Sequence, residues 1–490
     1  MKKILLILAL ITLFSPKTTF AFDAVNKFGI HILEPSDLPK AQELVNSSGG
    51  DWGWVTVVIR DDDMHHDKWQ DFMDQCRLLH LVPLVRIATH LEKESWVKPK
   101  IGDSSKWVEF LNNLNWPTAD QYVIIFNEPN QAKEWGGEIN PKEYAEILSE
   151  FIKKFHIPKK FPEGNILDFK FQILNAGLDL AAPNSKTTMN SYDFMKQMDE
   201  EVPGIFDMLD GWASHSYPNH GFLGKPWDEG KTSIRGYYWE LNYLKQLGVK
   251  KELQVFITET GWPHGMSNVK CRMSKQQGKK CKSTYYDEEK VAEYIKYAFE
   301  HVWLKDERIR AVTPFVLNYP ERLFSDFSWL DKEGNPYPQF DTLKNIGKIS
   351  WWPDQETKYE VKSIILPPFL PASTEYKGEI IIKNIGQSIW GEESQIIFSS
   401  IADRNISLSD LVIPKGQYIK PSENFQLDFT LKSSSQSGIF SLSWQNSPKY
   451  QIKVLPTSIL SNVRYTFWQK AILKLRGIFS WTNGIIFKQI

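Results

Sequence analysis

The sequence predicts a (β/α)8 barrel followed by a small all-β sandwich. Three observations carry this. From about Phe28 to Ile349, eight strand-like apolar runs alternate with amphipathic stretches, and such alternation builds a parallel sheet covered by helices. After Trp352-Pro353 the helical period disappears. Short alternating runs punctuated by Gly, Asn, Ser and Pro replace it, the pattern of an antiparallel sandwich. Finally, 490 residues are too many for one hydrophobic core.

The strand runs are Phe28–Ile32, Trp54–Arg60, Val82–Ile87, Tyr122–Asn127, Phe171–Ala176, Met208–Ser214, Val255–Thr258 and Ala311–Leu317. Each reads as nearly continuous apolar sequence, as a parallel strand buried on both faces should. Between them, Lys142–Phe155, Ile234–Leu247 and Glu288–Leu304 repeat apolar residues at three and four, the helix period. Pro141 suits the first turn of the first of these helices. In the second region Glu379–Lys383, Gln395–Phe398, Asn424–Leu431, Gly438–Trp444 and Tyr450–Val454 read as short strands.

The ends of the chain read differently. Lys2 and Lys3 precede an apolar stretch from Ile4 to Phe14, and Thr19-Phe20-Ala21 offers a small-x-small cleavage site. This is the pattern of a secretory signal peptide, with an apolar core too short for an ordinary spanning helix. The expected organisation is therefore a signal peptide at 1–21, a barrel at 22–355, a sandwich at 356–456 and a tail at 457–490. The tail has no acid. It sets Arg464, Lys470, Lys474, Arg476 and Lys488 among Phe467, Trp468, Phe479 and Trp481. Basic residues interleaved with aromatics fit association with a membrane surface or cell envelope. A terminal helix packed on the sandwich or on a partner accounts for them as well. A secreted or envelope-associated protein is the expectation.

A formal charge of -1 leaves no basic footprint, so nucleic acid is not an expected partner. Of three cysteines, Cys271 and Cys281 bracket a polar loop and are disulfide candidates in an oxidising compartment. Cys76 falls in a helical pattern and reads as a buried thiol, and the spacing fits no structural zinc site.

Two glutamates stand out. Tyr122-Val123-Ile124-Ile125-Phe126 runs into Asn127-Glu128-Pro129-Asn130, and Val255-Phe256-Ile257-Thr258 runs into Glu259-Thr260-Gly261-Trp262-Pro263. Each apolar run stops at a carboxylate. Barrel enzymes place catalytic groups where strands end, and a pair of carboxylates is the equipment of glycoside hydrolysis.

Together, Asn127-Glu128-Pro129 and Thr258-Glu259-Thr260-Gly261-Trp262-Pro263 resemble clan A of the glycoside hydrolases, retaining β-glycosidases on a (β/α)8 barrel. The resemblance spans about Phe28 to Ile349. It implies Glu128 as acid/base on strand four, Glu259 as nucleophile on strand seven and Asn127 as a partner of the sugar 2-hydroxyl. Gly211-Trp212-Ala213-Ser214-His215-Ser216-Tyr217-Pro218 resembles the clan's strand-six segment. It implies a Tyr217 hydrogen bond to Glu259 and a His215 contact with substrate or acid/base. Arg60 resembles the arginine that steadies the nucleophile, and pairing with Asp61, Asp62 or Asp63 is its other reading. His31 lines the sugar subsite or sits in the core. Trp329, in a segment that resembles the one after strand eight, is the expected sugar platform, with Tyr319 as the alternative. The implied chemistry needs no cofactor and no metal, even beside the acidic run Asp61 to Asp67.

The sandwich carries a resemblance of its own. Ile380-Ile381-Ile382-Lys383-Asn384-Ile385-Gly386-Gln387-Ser388-Ile389-Trp390 is similar to the opening of immunoglobulin-like modules on bacterial exoenzymes. The functional expectation is a secreted retaining β-glycoside hydrolase of oligo- or polysaccharides, with transglycosylation open to the same intermediate. The alternative is a catalytically silent, barrel-based glycan-binding or surface-interaction protein. Burst release from an activated aryl glycoside separates the two.

Overall fold

The computed structural model describes residues 24–157, 159–160, 166–167, 170–265, 285–321, 323–366 and 369–456. The expected signal peptide, the Cys271/Cys281 loop and the basic tail lie outside the described residues. Two compact units divide the rest: 24–114 with 120–352, and 115–119 with 353–456. The boundary thus falls at Trp352/Pro353, three residues before the expected one.

The first unit is a parallel barrel. Its strands are β1 (Gly29–His31), β2 (Gly53–Arg60), β3 (Leu81–Ala88), β4 (Asp120–Ile125), β5 (Lys170–Leu174), β6 (Gly211–His215), β7 (Gln254–Glu259) and β8 (Ile309–Val312). They lie side by side in chain order. A parallel bridge between Phe28 and Val312 closes the ring. Helices α1 (Leu38–Val45), α2 (His66–Leu78), α3 (Asp103–Asn112), α4 (Pro141–Phe155), α5 (Ser191–Glu201), α6 (Gly236–Gln246), α7 (Glu288–Ala298) and α8 (Pro338–Asn345) fill the crossovers. Side chains start and stop them. Pro141 opens α4 and Asn140 accepts from the Glu143 amide at 3.1 Å, while Asp287 accepts from the Lys290 amide at 2.8 Å to cap α7. α7 continues through a π turn at Phe299–Trp303.

Alternation along the strands fills the barrel. Trp52, Trp54, Val82, Leu84, Tyr122, Ile124, Ala213, Phe256 and Ala311 share one buried cluster, and most recur two residues apart. Beneath them Trp351 stacks on Trp54 at 5.4 Å and Trp352 meets Trp52 edge-on at 6.0 Å, so the exit from α8 plugs the barrel floor. The same parity continues upward. Arg86 follows Val82 and Leu84 on the inner face of β3, and His31 pairs with inward Thr56. On β7 the parity breaks. Ser214 pairs with Ile257 but His215 pairs with Glu259, so one extra residue intervenes. Such a bulge turns the next side chain to the opposite face, and Glu259 therefore joins Phe256 on the inside. A polar layer of His31, Arg86, His215 and Glu259 caps an apolar core.

β8 differs from expectation. Its ladder stops at Val312 rather than Leu317. Pro314 has no amide to donate, and beyond it the chain follows β1 irregularly, through His31 N–H to Pro314 and Leu317 N–H to His31. The sixth run also starts later, because Ile205–Met208 forms a 3-10 turn before Gly211.

The second unit is all β: β9 (Tyr359–Ile364), β10 (Phe369–Pro371), β11 (Glu375–Asn384), β12 (Ile396–Phe398), β13 (Ser400–Ala402), β14 (Ser407–Leu408), β15 (Leu411–Ile413), β16 (Asn424–Lys432), β17 (Gly438–Trp444) and β18 (Tyr450–Leu455). Two four-stranded sheets, β9-β11-β16-β14 and β10-β18-β17-β13, enclose Trp390, Trp444, Phe398, Phe429 and their aliphatic neighbours. The Asn-x-Gly turn has a mechanism. Asn384 accepts from the Gly386 amide and donates to the carbonyls of Ser388 and Ile419. A Cβ on Gly386 would stand 2.3 Å from the Glu356 carbonyl oxygen.

Candidate active site

Glu259 is the last residue of β7 and is nearly buried. Arg86 donates through Nη1 to its Oε1 at 2.5 Å and to Asn127 Oδ1 at 2.7 Å, while Nη2 lies 3.3 Å from His31 Nε2. Tyr217 donates its hydroxyl to Glu259 Oε2 at 3.0 Å. Burial by itself would raise this carboxyl, but the charges of His215 and Arg86 outweigh it and hold the group down at about 2. Burial and then Arg86 keep His31 neutral, down to about 3. His31 can therefore accept from the guanidinium but adds no charge at neutral pH. Burial, then the charge of Glu259, keeps the Tyr217 phenol well above its usual range, so it remains a donor.

Glu128 is held by different means. It lies on the loop three residues past β4, and both Phe126 (φ 69°) and Glu128 (φ 31°) have left-handed backbone. Such conformations are costly for non-glycine residues and persist where surrounding bonds impose them. Here the Glu128 amide donates to the Gly177 carbonyl at 3.1 Å, and the Glu128 carbonyl accepts from the Gln131 amide at 2.8 Å. Phe126 breaks the strand parity and packs on Trp135 and Phe151, which frees the next side chain to face the barrel mouth. Glu128 Oε1 lies 2.9 Å from His215 Nδ1, and Oε2 accepts from Gln131 Nε2 at 2.8 Å. His215 Nδ1 is also 3.8 Å from Glu259 Oε2. Burial works against protonation of His215, but the two carboxylates outweigh it and raise the imidazole. One ligand-capable atom each of Glu128, His215 and Glu259 lies within 4.8 Å of the others.

The structure thus brings Asn127, Glu128, His215, Tyr217 and Glu259 into one cluster, and it decides between the alternatives left open at Arg60, Trp329 and His31. Arg60 does not reach Glu259. It pairs in register with Ala88, one layer above the Val58–Arg86 pair, and its half-exposed side chain bonds Asp62 at 2.8 Å. Arg86 occupies the place assigned to it. Trp329 is only 3% exposed, and its amide bonds to the Val316 and Leu317 carbonyls. It offers no open face to a sugar. His31 is fully buried against Arg86 and so supports the guanidinium rather than lining the cleft. The aromatic wall above β8 is instead a chain of ring contacts, Tyr217–Phe222–Phe327–Phe315, with Phe324 and Tyr319 beside Phe315. Phe315 also meets His31 edge-on at 5.2 Å.

Three further carboxyl-bearing or amide residues join the site without having been expected. Glu134 accepts from Asn127 Nδ2 at 3.2 Å, and burial, then the charge of Glu128, pushes it up to about 7. Asp179 and Gln131 extend the network from Glu128. The acidic run is charge-paired: Asp61 with His90, Asp62 with Arg60 and Asp63 with Lys68.

No protein-family model and no curated protein matches this sequence. Solved structures with a similar chain trace include a family 39 glycoside hydrolase from Bacteroides cellulosilyticus WH2. It is 14% identical, the match covers 83% of this chain and 81% of that one, and the TM-score is 0.41. An endo-β-1,4-glucanase from Xanthomonas axonopodis pv. citri is 10% identical over 65% of this chain and 98% of that one, with a TM-score of 0.41. A fungal β-1,4-galactanase is 13% identical over 65% and 99%, with a TM-score of 0.40.

Proposed function

We propose that this chain is a retaining β-glycoside hydrolase of oligo- or polysaccharides. The observation that carries the reading is the pair of carboxylates at the barrel mouth, an oxygen of each within 4.8 Å. Double displacement uses carboxyl groups about 5–5.5 Å apart, whereas inversion needs about 6.5–9.5 Å to seat a water between them.

The environments fit two different roles. Glu259, ionised and oriented by Arg86 and Tyr217, attacks the anomeric carbon as Glu128 passes its proton to the departing glycosidic oxygen. The bond to the leaving sugar breaks and a glycosyl ester on Glu259 forms. Glu128, now a carboxylate, takes a proton from water as that water attacks the anomeric carbon and releases Glu259. Asn127, fixed by Arg86 on its oxygen and Glu134 on its nitrogen, stands at the position the clan resemblance assigns to the 2-hydroxyl contact. The cluster of Glu128, His215 and Glu259 has metal-ligand residue types. A cation there would face the Arg86 guanidinium and compete with donors already bonded to both oxygens of Glu259, so these residues fit acid/base chemistry better than metal binding. Action outside the cytoplasm and attachment to the envelope are parts of the same proposal that rest on the N-terminal and C-terminal sequences.

The test uses purified protein and a panel of aryl β-glycosides with azide as an external nucleophile. Turnover by wild type, with Glu259→Ala yielding an α-glycosyl azide and Glu128→Ala a β-glycosyl azide, is the expected result. A wild-type product of inverted anomeric configuration would overturn the retaining assignment. Binding of a glycan without turnover by any form would favour the silent-binder alternative.

A further inference from the structure

We infer that Asp179, acting through Gln131, is a positioning residue for the acid/base Glu128; the inference rests on the glycosidase reading and deepens it. The Gln131 amide nitrogen has two hydrogens, and both are committed. One goes to Glu128 Oε2 at 2.8 Å and the other to Asp179 Oδ2 at 3.1 Å. Turning the amide over would aim its carbonyl oxygen at both acids. The two acids therefore fix the orientation of Gln131, and Gln131 in turn fixes the Glu128 carboxyl.

Asp179 itself is held from three sides. Its Oδ1 accepts from the Ala181 amide at 2.9 Å. Asn130 grips its backbone twice, with Oδ1 accepting from the Asp179 amide at 3.1 Å and Nδ2 donating to its carbonyl at 2.9 Å. Asn130 also donates to the Met189 carbonyl, and Gln131 pairs in a bridge with Thr188. The loop after β5 thus touches the acid/base at several points. Gly177 receives the Glu128 amide, and its missing side chain makes room for the second partner of Glu128. A Cβ on Gly177 would lie 2.1 Å from His215 Cδ2.

A carboxylate is needed at 179 because both oxygens accept. An asparagine there has one acceptor, so it must surrender either the Ala181 amide or Gln131 and would turn an NH2 toward a donor. Asp179→Asn is nearly isosteric and still breaks the chain of bonds. A misplaced acid should matter only where the leaving group needs protonation, and a displacement of about 1 Å can cost roughly 100-fold in rate.

The experiment measures kcat/KM for phenyl and 2,4-dinitrophenyl β-glycosides of glucose, galactose and xylose with wild type, Asp179→Asn, Gln131→Leu and the double variant. Each single variant is expected to lose roughly 30- to 100-fold on the phenyl glycoside and less than about threefold on the dinitrophenyl glycoside. The double variant should be no worse than the worse single one, since both act along one path. Equal losses on the two leaving groups, no loss on the phenyl glycoside, or additive losses would overturn the role of Asp179 while leaving the glycosidase reading intact. A wild type inactive on all six compounds, and on a wider panel of aryl β-glycosides including aryl oligosaccharides, overturns that reading and this one with it.

Discussion

The two glutamates of the barrel mouth are held in opposite ways. Glu259 is part of a strand. A bulge in β7 turns it inward, and a permanent cation and a phenol bind its two oxygens. Glu128 stands off its strand on left-handed backbone, and its oxygens meet an imidazole and a carboxamide. The first environment fixes one charge state. The second fixes a position, which is what the acid/base role proposed for Glu128 requires. The lesson is that fixed charge and fixed geometry are separate devices, supplied here by different parts of the barrel.

Removing Arg86 attacks the first device and should give the largest effect. Arg86→Ala leaves Glu259 buried beside unfilled space, and loss of one partner from a buried ion pair destabilises by about 3–5 kcal/mol. It also removes one of the charges that, with that of His215, hold Glu259 ionised. Because the folded carboxyl is held down to about 2, its ionised form persists well below the usual carboxylate range. The stability this gives is fully present above the unfolded value and is lost as pH falls toward 2. Without Arg86 both the loss of stability and the acid limb of kcat/KM should move to higher pH, with kcat lowered by about 100- to 1,000-fold at neutral pH. A pH–rate profile and a denaturant series between pH 3 and 8 check this. An unmoved acid limb would show that burial and His215, not Arg86, decide the charge of Glu259.

Tyr217→Phe sharpens the contrast with a smaller change. It deletes one hydrogen bond to a charged oxygen and keeps the ring that packs on Phe222 and Phe327. Hydrogen bonds to charged groups contribute about 1.5–3 kcal/mol, so kcat should fall roughly 10- to 100-fold. In the proposed mechanism Glu259 serves both chemical steps, and activated and unactivated aryl glycosides should therefore suffer alike. A loss confined to poor leaving groups would mean that Tyr217 works through Glu128 instead.

How much of this was legible follows from where each residue lies. Both glutamates, Asn127, His215 and Tyr217 adjoin strands, and an apolar run that stops at a polar residue marks a strand end. Arg86 was legible in principle. It is the one charged residue inside Leu81–Ala88, whose other side chains are apolar and buried, and a charge in such a strand must meet a partner. The bulge that aims Glu259 leaves no signature in Val255–Thr258, since it depends on pairing with β6. Asp179 and Gln131 sit in loops, and Glu134 in a single 3-10 turn, without periodicity, where only tertiary contacts decide which side chains face the mouth. The early end of β8 was signalled by Pro314. Trp329 is buried in an irregular segment, and its amide bonds carbonyls more than ten residues upstream.

Arg60 and Arg86 make the last and smallest test. They lie on neighbouring strands, both on the inward parity, and differ by one layer in height: Val58 is level with Arg86, and Arg60 is level with Ala88. That step of two residues carries Arg60 out of the barrel and into solvent, where it pairs with Asp62. An exposed pair of this kind contributes about 0–1 kcal/mol. Arg60→Ala should therefore leave kcat/KM within about twofold and stability within about 0.5 kcal/mol of wild type, against the losses expected for Arg86→Ala. Measured side by side under one set of conditions, the two variants ask whether register alone separates a catalytic-site arginine from a surface one. A loss at Arg60 comparable with that at Arg86 would mean that bound substrate reaches the upper rim and that the site extends a full layer above the polar cluster.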